Sequence, residues 1–233
     1  MEFLHSGFKE PIVLDSENLK NQRVRLPQDY SFAKKVEFIP LCFDEIIAVS
    51  LYYPVIFGVV EGTVIPYAIL GINKKNIFVS ENGDWKTDII PELIKIYPFG
   101  FVKEGEDYVV FIDKTMCSEE EGELLFNELG EETEFLKEKK KELTKVAKGL
   151  HTSLNFCEEI VKLGLLTSVN LEVNTAIGNF RIKNMLTLNL NKFNSISPEK
   201  LWFLSNKGYI VTLIAHYLSL RNFKLMELWA LKP

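Results

Sequence analysis

The chain has 233 residues, 47% of them hydrophobic and 25% charged, with a net charge of −5. That is enough apolar material for a sizeable core. The acidic balance argues against sequence-independent nucleic-acid binding and against a polybasic attachment to anionic lipid, since both need a cationic surface. Cys42, Cys117 and Cys157 form no CxxC pair, and the three histidines are scattered, so no metal site and no cofactor is expected. Residues 1–7 lack a basic segment leading into an apolar run, and the longest apolar stretch, 209–220, is short of the ~20 residues a membrane span needs. Free thiols and the lack of a secretory signal make the cytoplasm the expected compartment, with signal-independent export left open.

Residues 1–35 are polar and irregular, with Pro11 and Pro27, and are expected to wrap the surface. Residues 36–41 read as a strand. Phe43, Ile46, Ile47 and Leu51 follow at helical spacing, with Asp44 and Glu45 at the positive end of the helix dipole and Pro54 as the stop. Three strands are predicted over 55–61, 64–73 and 76–80, because the links between them are too short for a crossover helix. Asn82-Gly83 signals a turn. A short helix over 89–94 and a hairpin of 99–103 with 108–113, turning at Gly105-Glu106, close the first half.

From Ser118 the period changes. Ser118-Glu119-Glu120-Glu121 has the pattern of a capping box, with Gly130 as the C-cap of the helix it would open. The acidic stretch 118–134 is the one candidate linker. Thr133 opens a helix whose stripe runs through Leu136, Leu143, Leu150 and Cys157 to a stop at Gly164, with Gly149 as a weak point at its middle. The interleaved Glu and Lys of 131–142 form a solvated face of that helix. Alternation at Leu171-Glu172-Val173 and Phe180-Arg181-Ile182 predicts a hairpin across Ile177-Gly178-Asn179. Ser197-Pro198 is an N-cap with proline at the first helical position, Gly208 ends that helix, and 209–220 and 222–231 complete a helical C-terminus. The expected architecture is α+β: an antiparallel meander with helices over 1–116 and a mostly helical region with one hairpin over 117–233, in a single unit.

Five residues stand out chemically. Asp113 at a strand end and His216 on an apolar helix are the candidate acid and base; each is also the residue type of a turn cap or a satisfied core group. Trp85, Tyr53 and Tyr97 are the candidate binding residues, as the aromatics of a groove framed by Tyr52-Tyr53-Pro54 and Tyr97-Pro98-Phe99; burial in the core is their other reading. Ser31, Ser153 and Ser219 have no visible His/Asp partner spacing.

Taken in order, Leu26-Pro27-Gln28-Asp29-Tyr30-Ser31-Phe32-Ala33, Tyr53-Pro54-Val55-Ile56-Phe57, Ala68-Ile69-Leu70-Gly71, Gly83-Asp84-Trp85, Tyr97-Pro98-Phe99 and Ala215-His216-Tyr217-Leu218-Ser219-Leu220 resemble the SapC family of bacterial proteins over nearly the whole chain. One element departs: the family carries a pair of arginines just before Tyr-Pro-Phe, and here Lys95-Ile96 stands there, without the bidentate fork of arginine. The resemblance implies a part in surface-layer assembly or secretion and no defined reaction. The leading expectation is a non-catalytic accessory protein that binds a peptide or protein segment. Two rivals are an acyl-transfer enzyme, on a loose likeness to the acetyltransferase order of elements, and a small-molecule or glycan-binding partner of tailoring enzymes. No Gly-rich loop opens the 89–94 helix, as a CoA pyrophosphate would want.

Overall fold

The chain is described by a computed structural model covering residues 2–3, 6–105, 107–175 and 178–231. The N-terminal segment is less irregular than its composition suggests. It contains β1 (Glu2–Phe3), β2 (Pro11–Val13) and β3 (Arg23–Val24). After β4 (Phe38–Pro40), a 3-10 turn over Phe43–Glu45 leads into α1 (Ile46–Val49). The Glu45 carboxylate accepts from the Cys42 N–H at 2.8 Å, closing the start of that turn.

β5 (Val55–Val60) and β6 (Thr63–Ile69) pair antiparallel from Val55↔Ala68 to Val60↔Thr63. Glu61 and Gly62, at φ +49° and +78°, make the two-residue turn. The strand predicted over 64–73 breaks at Leu70, because the Leu70 and Gly71 N–H groups both turn to the Glu37 carbonyl. β7 (Gly71–Ile72) then pairs with β8 (Lys75–Asn76) in a separate ladder, so 76–80 is not a third strand of the meander. Gly71 is required at that fold-back: a Cβ there would sit 2.0 Å from the Lys75 carbonyl oxygen. α2 (Glu92–Lys95) is shorter than the helix predicted over 89–94, since Pro91 pushes Ile90 out of the helical region.

β9 (Phe99–Glu104) and β10 (Asp107–Asp113) form the predicted hairpin; Glu106 at its turn lies outside the described residues. β1 and β2 pair onto the two edges of this hairpin, in the order β1-β9-β10-β2. The helix expected from Ser118 does not form. Ser118 Oγ does accept from the Glu120 and Glu121 N–H groups, both at 3.2 Å. Gly122 then turns the chain back at φ +104°, packed so closely on β3 that a Cβ would lie 2.2 Å from the Val24 carbonyl oxygen. β11 (Cys117–Ser118) and β12 (Glu123–Leu124) thus flank β3, and the stretch 118–134 is no linker, since Leu125 and Phe126 are buried.

α3 (Glu134–Lys162) starts where Thr133 Oγ accepts from the Leu136 N–H and runs unbroken for 29 residues. Gly149 does not interrupt it. The glycine is where Cys42 rests on the helix, and a Cβ would come within 2.8 Å of the Cys42 Cβ. β13 (Leu166–Thr175) and β14 (Gly178–Leu188) form the second-half hairpin; residues 176–177 at its turn lie outside the described residues. β14 joins β5 through Leu186↔Phe57, giving a five-stranded sheet in the order β13-β14-β5-β6-β4 that both halves share. α4 (Leu190–Asn194), α5 (Pro198–Asn206), α6 (Tyr209–Ser219) and α7 (Asn222–Leu231) follow, with Ser197 capping α5 as predicted. The mixed α+β architecture matches the expected class. The core under the shared sheet is aromatic: Phe156 of α3 lies between Phe57 at 6.0 Å and Tyr209 at 4.8 Å. Burying each such ring contributes about 2–3 kcal/mol.

Candidate functional site

Asp113 ends β10 and is fully buried. Its carboxylate accepts from the Lys9 N–H at 2.8 Å, the Glu10 N–H at 3.3 Å, the Thr115 N–H at 3.1 Å, the Thr115 hydroxyl at 2.8 Å and the Tyr97 hydroxyl at 2.9 Å. Burial alone would raise its pKa. The donors from Lys9, Thr115 and Tyr97 together outweigh burial and hold the carboxyl below the usual range, so it stays ionised. Burial and the same hydrogen bond push the Tyr97 hydroxyl well above its ordinary value. Tyr97 itself is stacked on Phe32 at 4.0 Å and only 4% exposed. A carboxylate whose lone pairs are all engaged binds the N-terminal segment to the hairpin; it has none to offer a substrate.

His216 lies on α6, also fully buried, and none of its hydrogen-bonding partners is shared with Asp113. Nδ1 meets the Val55 carbonyl at 2.8 Å, which can only accept, so Nδ1 carries the proton. Nε2 then accepts from the Leu188 N–H at 3.2 Å and from the Thr187 hydroxyl at 3.1 Å. Burial pulls the ring down to about 4 against the opposing pull of the Val55 carbonyl, so it is neutral near pH 7. Ser219, one turn on, accepts from the Val55 N–H at 2.9 Å and donates to the His216 carbonyl at 2.6 Å. Together they hold both backbone groups of Val55, clamping α6 to the start of β5. Asp113 and His216 therefore do not form an acid–base pair.

The structure brings Tyr53 and Trp85 together and keeps Tyr97 apart with Asp113. The Trp85 indole donates to the Tyr53 hydroxyl at 2.8 Å and to Thr87 Oγ1 at 3.2 Å, while the Tyr53 hydroxyl meets Thr87 and donates to the Ile89 carbonyl. Tyr53 is fully buried, and burial pushes its hydroxyl up to about 12. Trp85 is half-buried, edge-on to Tyr30 at 5.4 Å, and Tyr30 N–H bonds the Gly83 carbonyl at 2.8 Å. The aromatic-proline elements and the Gly83-Asp84-Trp85 turn thus hold the N-terminal segment onto the molecule, Tyr53 and Trp85 in one cluster and Tyr97 in another.

Open surface of the right shape lies elsewhere, along the seam between α3 and β9. A cleft of about 550 Å³ is floored by Phe101, Tyr108 and Val110 of the hairpin and by Leu143 and Ala147 of α3. Its rim carries Lys103, Lys140, Lys148 and His151, with no carboxylate among the lining residues. Lys140 is paired with Glu132, whereas Lys103 and Lys148 have no ion-pair partner among the described residues. A smaller cleft of about 230 Å³ opens beside Phe99 of β9, lined by Tyr30, Phe32 and Tyr97 and by Asp29, Lys95 and Lys139, so both charge signs meet there. The 300–1,000 Å³ range is typical of ligand sites, and an apolar floor under a few cationic groups suits an amphipathic anion. Sequence reasoning missed this seam by treating the lysine run as uniformly solvated. The available signal was Lys140, Thr144, Lys148 and His151, spaced along one helix face beside the apolar Leu143 and Ala147.

Among known protein families, the SapC profile matches residues 14–226 of the 233. No curated protein and no solved structure matches the chain. No helix among the described residues is long and apolar enough to cross a membrane, and none of their His, Cys, Asp and Glu side chains cluster as metal ligands.

Proposed function

The chain belongs to the SapC family, and on that footing we propose that it is a non-catalytic accessory protein of surface-layer assembly or secretion that holds a peptide segment in the α3–β9 seam. The observation that carries this reading is the chemistry of the cleft of about 550 Å³: aromatic and aliphatic floor, Lys103 and Lys148 without an ion-pair partner among the described residues at the rim, and no carboxylate among the lining residues. A segment with a leucine or aromatic side chain for the floor and acidic residues for the rim satisfies both halves. The saturation of Asp113 and His216 supports the accessory reading over acyl transfer, because neither has a free lone pair or proton to exchange with a substrate.

Fluorescence anisotropy with a labelled acidic peptide carrying one leucine or phenylalanine tests it. Lys103→Glu combined with Lys148→Glu is expected to weaken binding at least about tenfold, as reversal of two rim charges should. Ala147→Trp, which fills the floor, is expected to block it. Equal affinity for the wild type and both variants would rule the seam out. The surface-layer assignment has its own readout: deleting the gene should lower the amount of surface-layer protein outside the cell, and an unchanged amount would overturn it.

A further inference from the structure

α6 carries apolar residues on its outer face as well as on its buried one. Tyr209, Thr212, Leu213, His216 and Ser219 are buried, while Val211 and Leu218 are 58% and 61% exposed. The clamp on Val55 gives part of the buried face to His216 and Ser219, and Val211 and Leu218 stand on the outer side. An ordinary surface helix keeps its outer face polar. The surroundings extend the apolar surface. Trp202 on α5 is 69% exposed and Leu228 on α7 is 65% exposed. Leu51 is 68% exposed, and the bond from Asn222 Nδ2 to the Ser50 carbonyl at 2.8 Å draws it to the α6–α7 corner. Large apolar side chains exposed on neighbouring helices make the kind of surface that serves interaction.

Charge decides which kind. Residues 189–231 hold five basic side chains, Lys192, Lys200, Lys207, Arg221 and Lys224, against two acidic ones, in a chain whose net charge is −5. All five are exposed, and none has an ion-pair partner among the described residues. Lys200 directly precedes Leu201-Trp202, Arg221 directly precedes α7, and Lys224 is exposed on α7 with Leu225 and Leu228.

We propose that the α5–α7 face docks on an anionic lipid bilayer. Trp202, Val211, Leu218 and Leu228 enter the boundary between headgroups and acyl chains, and the lysine and arginine side chains reach lipid phosphates. This is interfacial binding, not spanning. A second copy of the chain is the poorer occupant, because a two-fold contact through this face sets basic residues against basic residues. The acidic balance of the whole chain does not oppose lipid binding here, since the negative charge is segregated onto the remainder of the molecule.

Flotation of the full-length protein with vesicles is the test. It is expected to float with vesicles of equal parts phosphatidylcholine and phosphatidylglycerol, to stay at the bottom with phosphatidylcholine alone, and to be released by high salt. Trp202→Ser or Leu218→Ser should weaken binding on the order of tenfold, and Lys200→Glu with Lys207→Glu should abolish it. These side chains are exposed, so the variants should keep the wild-type circular dichroism and melting point. Quenching by brominated lipid, lost in Trp202→Phe, reports insertion rather than adsorption. Failure to float with anionic vesicles overturns the proposal. So does a concentration-dependent dimer abolished by Leu218→Ser, which assigns the face to a second copy.

Discussion

Asp113 and His216 are buried to the same degree, yet one keeps its charge and the other gives it up. Around Asp113 five donors converge from three places in the chain, and their combined hydrogen bonds outweigh the cost of removing a carboxylate from water. Around His216 the partners are one carbonyl, one N–H and one hydroxyl, a set that suits the neutral ring: the Leu188 N–H points at Nε2 and opposes a second proton there, and no carboxylate is among the partners. Burial alone does not set the charge state of a core group. The number and sign of its partners do, and here both arrangements bind one chain segment to another: residues 9–10 to the β9–β10 hairpin in the first case, α6 to β5 in the second.

Removing the charged centre is expected to cost most. Asp113→Ala leaves the Lys9 and Glu10 amides and the Tyr97 hydroxyl without an acceptor, for a loss of about 3–5 kcal/mol in urea unfolding. A loss under about 1 kcal/mol would mean water replaces the carboxylate freely. Because the folded pKa lies below the unfolded value of 3.8, the contribution of Asp113 is present above that pH and falls away only below it.

His216→Ala comes next, at about 2–4 kcal/mol from the cavity beneath Phe57 and the stranded Leu188 N–H. Its pH signature separates it from Asp113. The unfolded chain takes up a proton near 6.5 and the folded chain refuses it until about 4, so stability falls as pH drops through that window, by on the order of 3 kcal/mol in all. Glu45 acts in the opposite sense. Burial raises its folded pKa from 4.5 to about 7, so its contribution is lost as pH rises through that interval. Melting curves across pH should therefore show a steeper acid loss in Glu45→Gln than in the wild type, and a reversed slope in the His216 variant. Parallel curves for all three would contradict the assigned protonation states.

Gly149→Ala tests a contact of a different kind, steric rather than polar, and is expected to cost about 1–3 kcal/mol because the new methyl meets Cys42. The smallest effect expected is that of Trp85→Phe, about 1 kcal/mol, from loss of the indole bonds to Tyr53 and Thr87 with most of the ring packing kept. A much larger loss there would give Trp85 a weight in the core that its partial exposure does not suggest.

The three hairpins β5–β6, β9–β10 and β13–β14 were legible because each is a local alternation closed by a short turn. The helix expected from Ser118 was not, because its competitor is the approach of Gly122 to Val24, far away in sequence. The same holds for the site. Asp113 and His216 were visible as polar residues in apolar stretches, but their partners at Lys9 and Val55 lie 104 and 161 positions away. The α3–β9 seam was hidden because lysines at helical spacing look alike whether they face bulk water or the rim of a cleft.

By itself the sequence determined the α+β class, the caps at Thr133 and Ser197, and the family, since alternation, capping chemistry and ordered short motifs are properties of neighbouring residues. Only the tertiary structure decided that the β13–β14 hairpin joins the sheet of the first half, that Tyr53 and Tyr97 are buried, and that α6 buries His216 and Ser219 while exposing Val211 and Leu218. Each of those depends on which distant backbone group a buried polar side chain must satisfy, and that is settled only when the chain closes on itself.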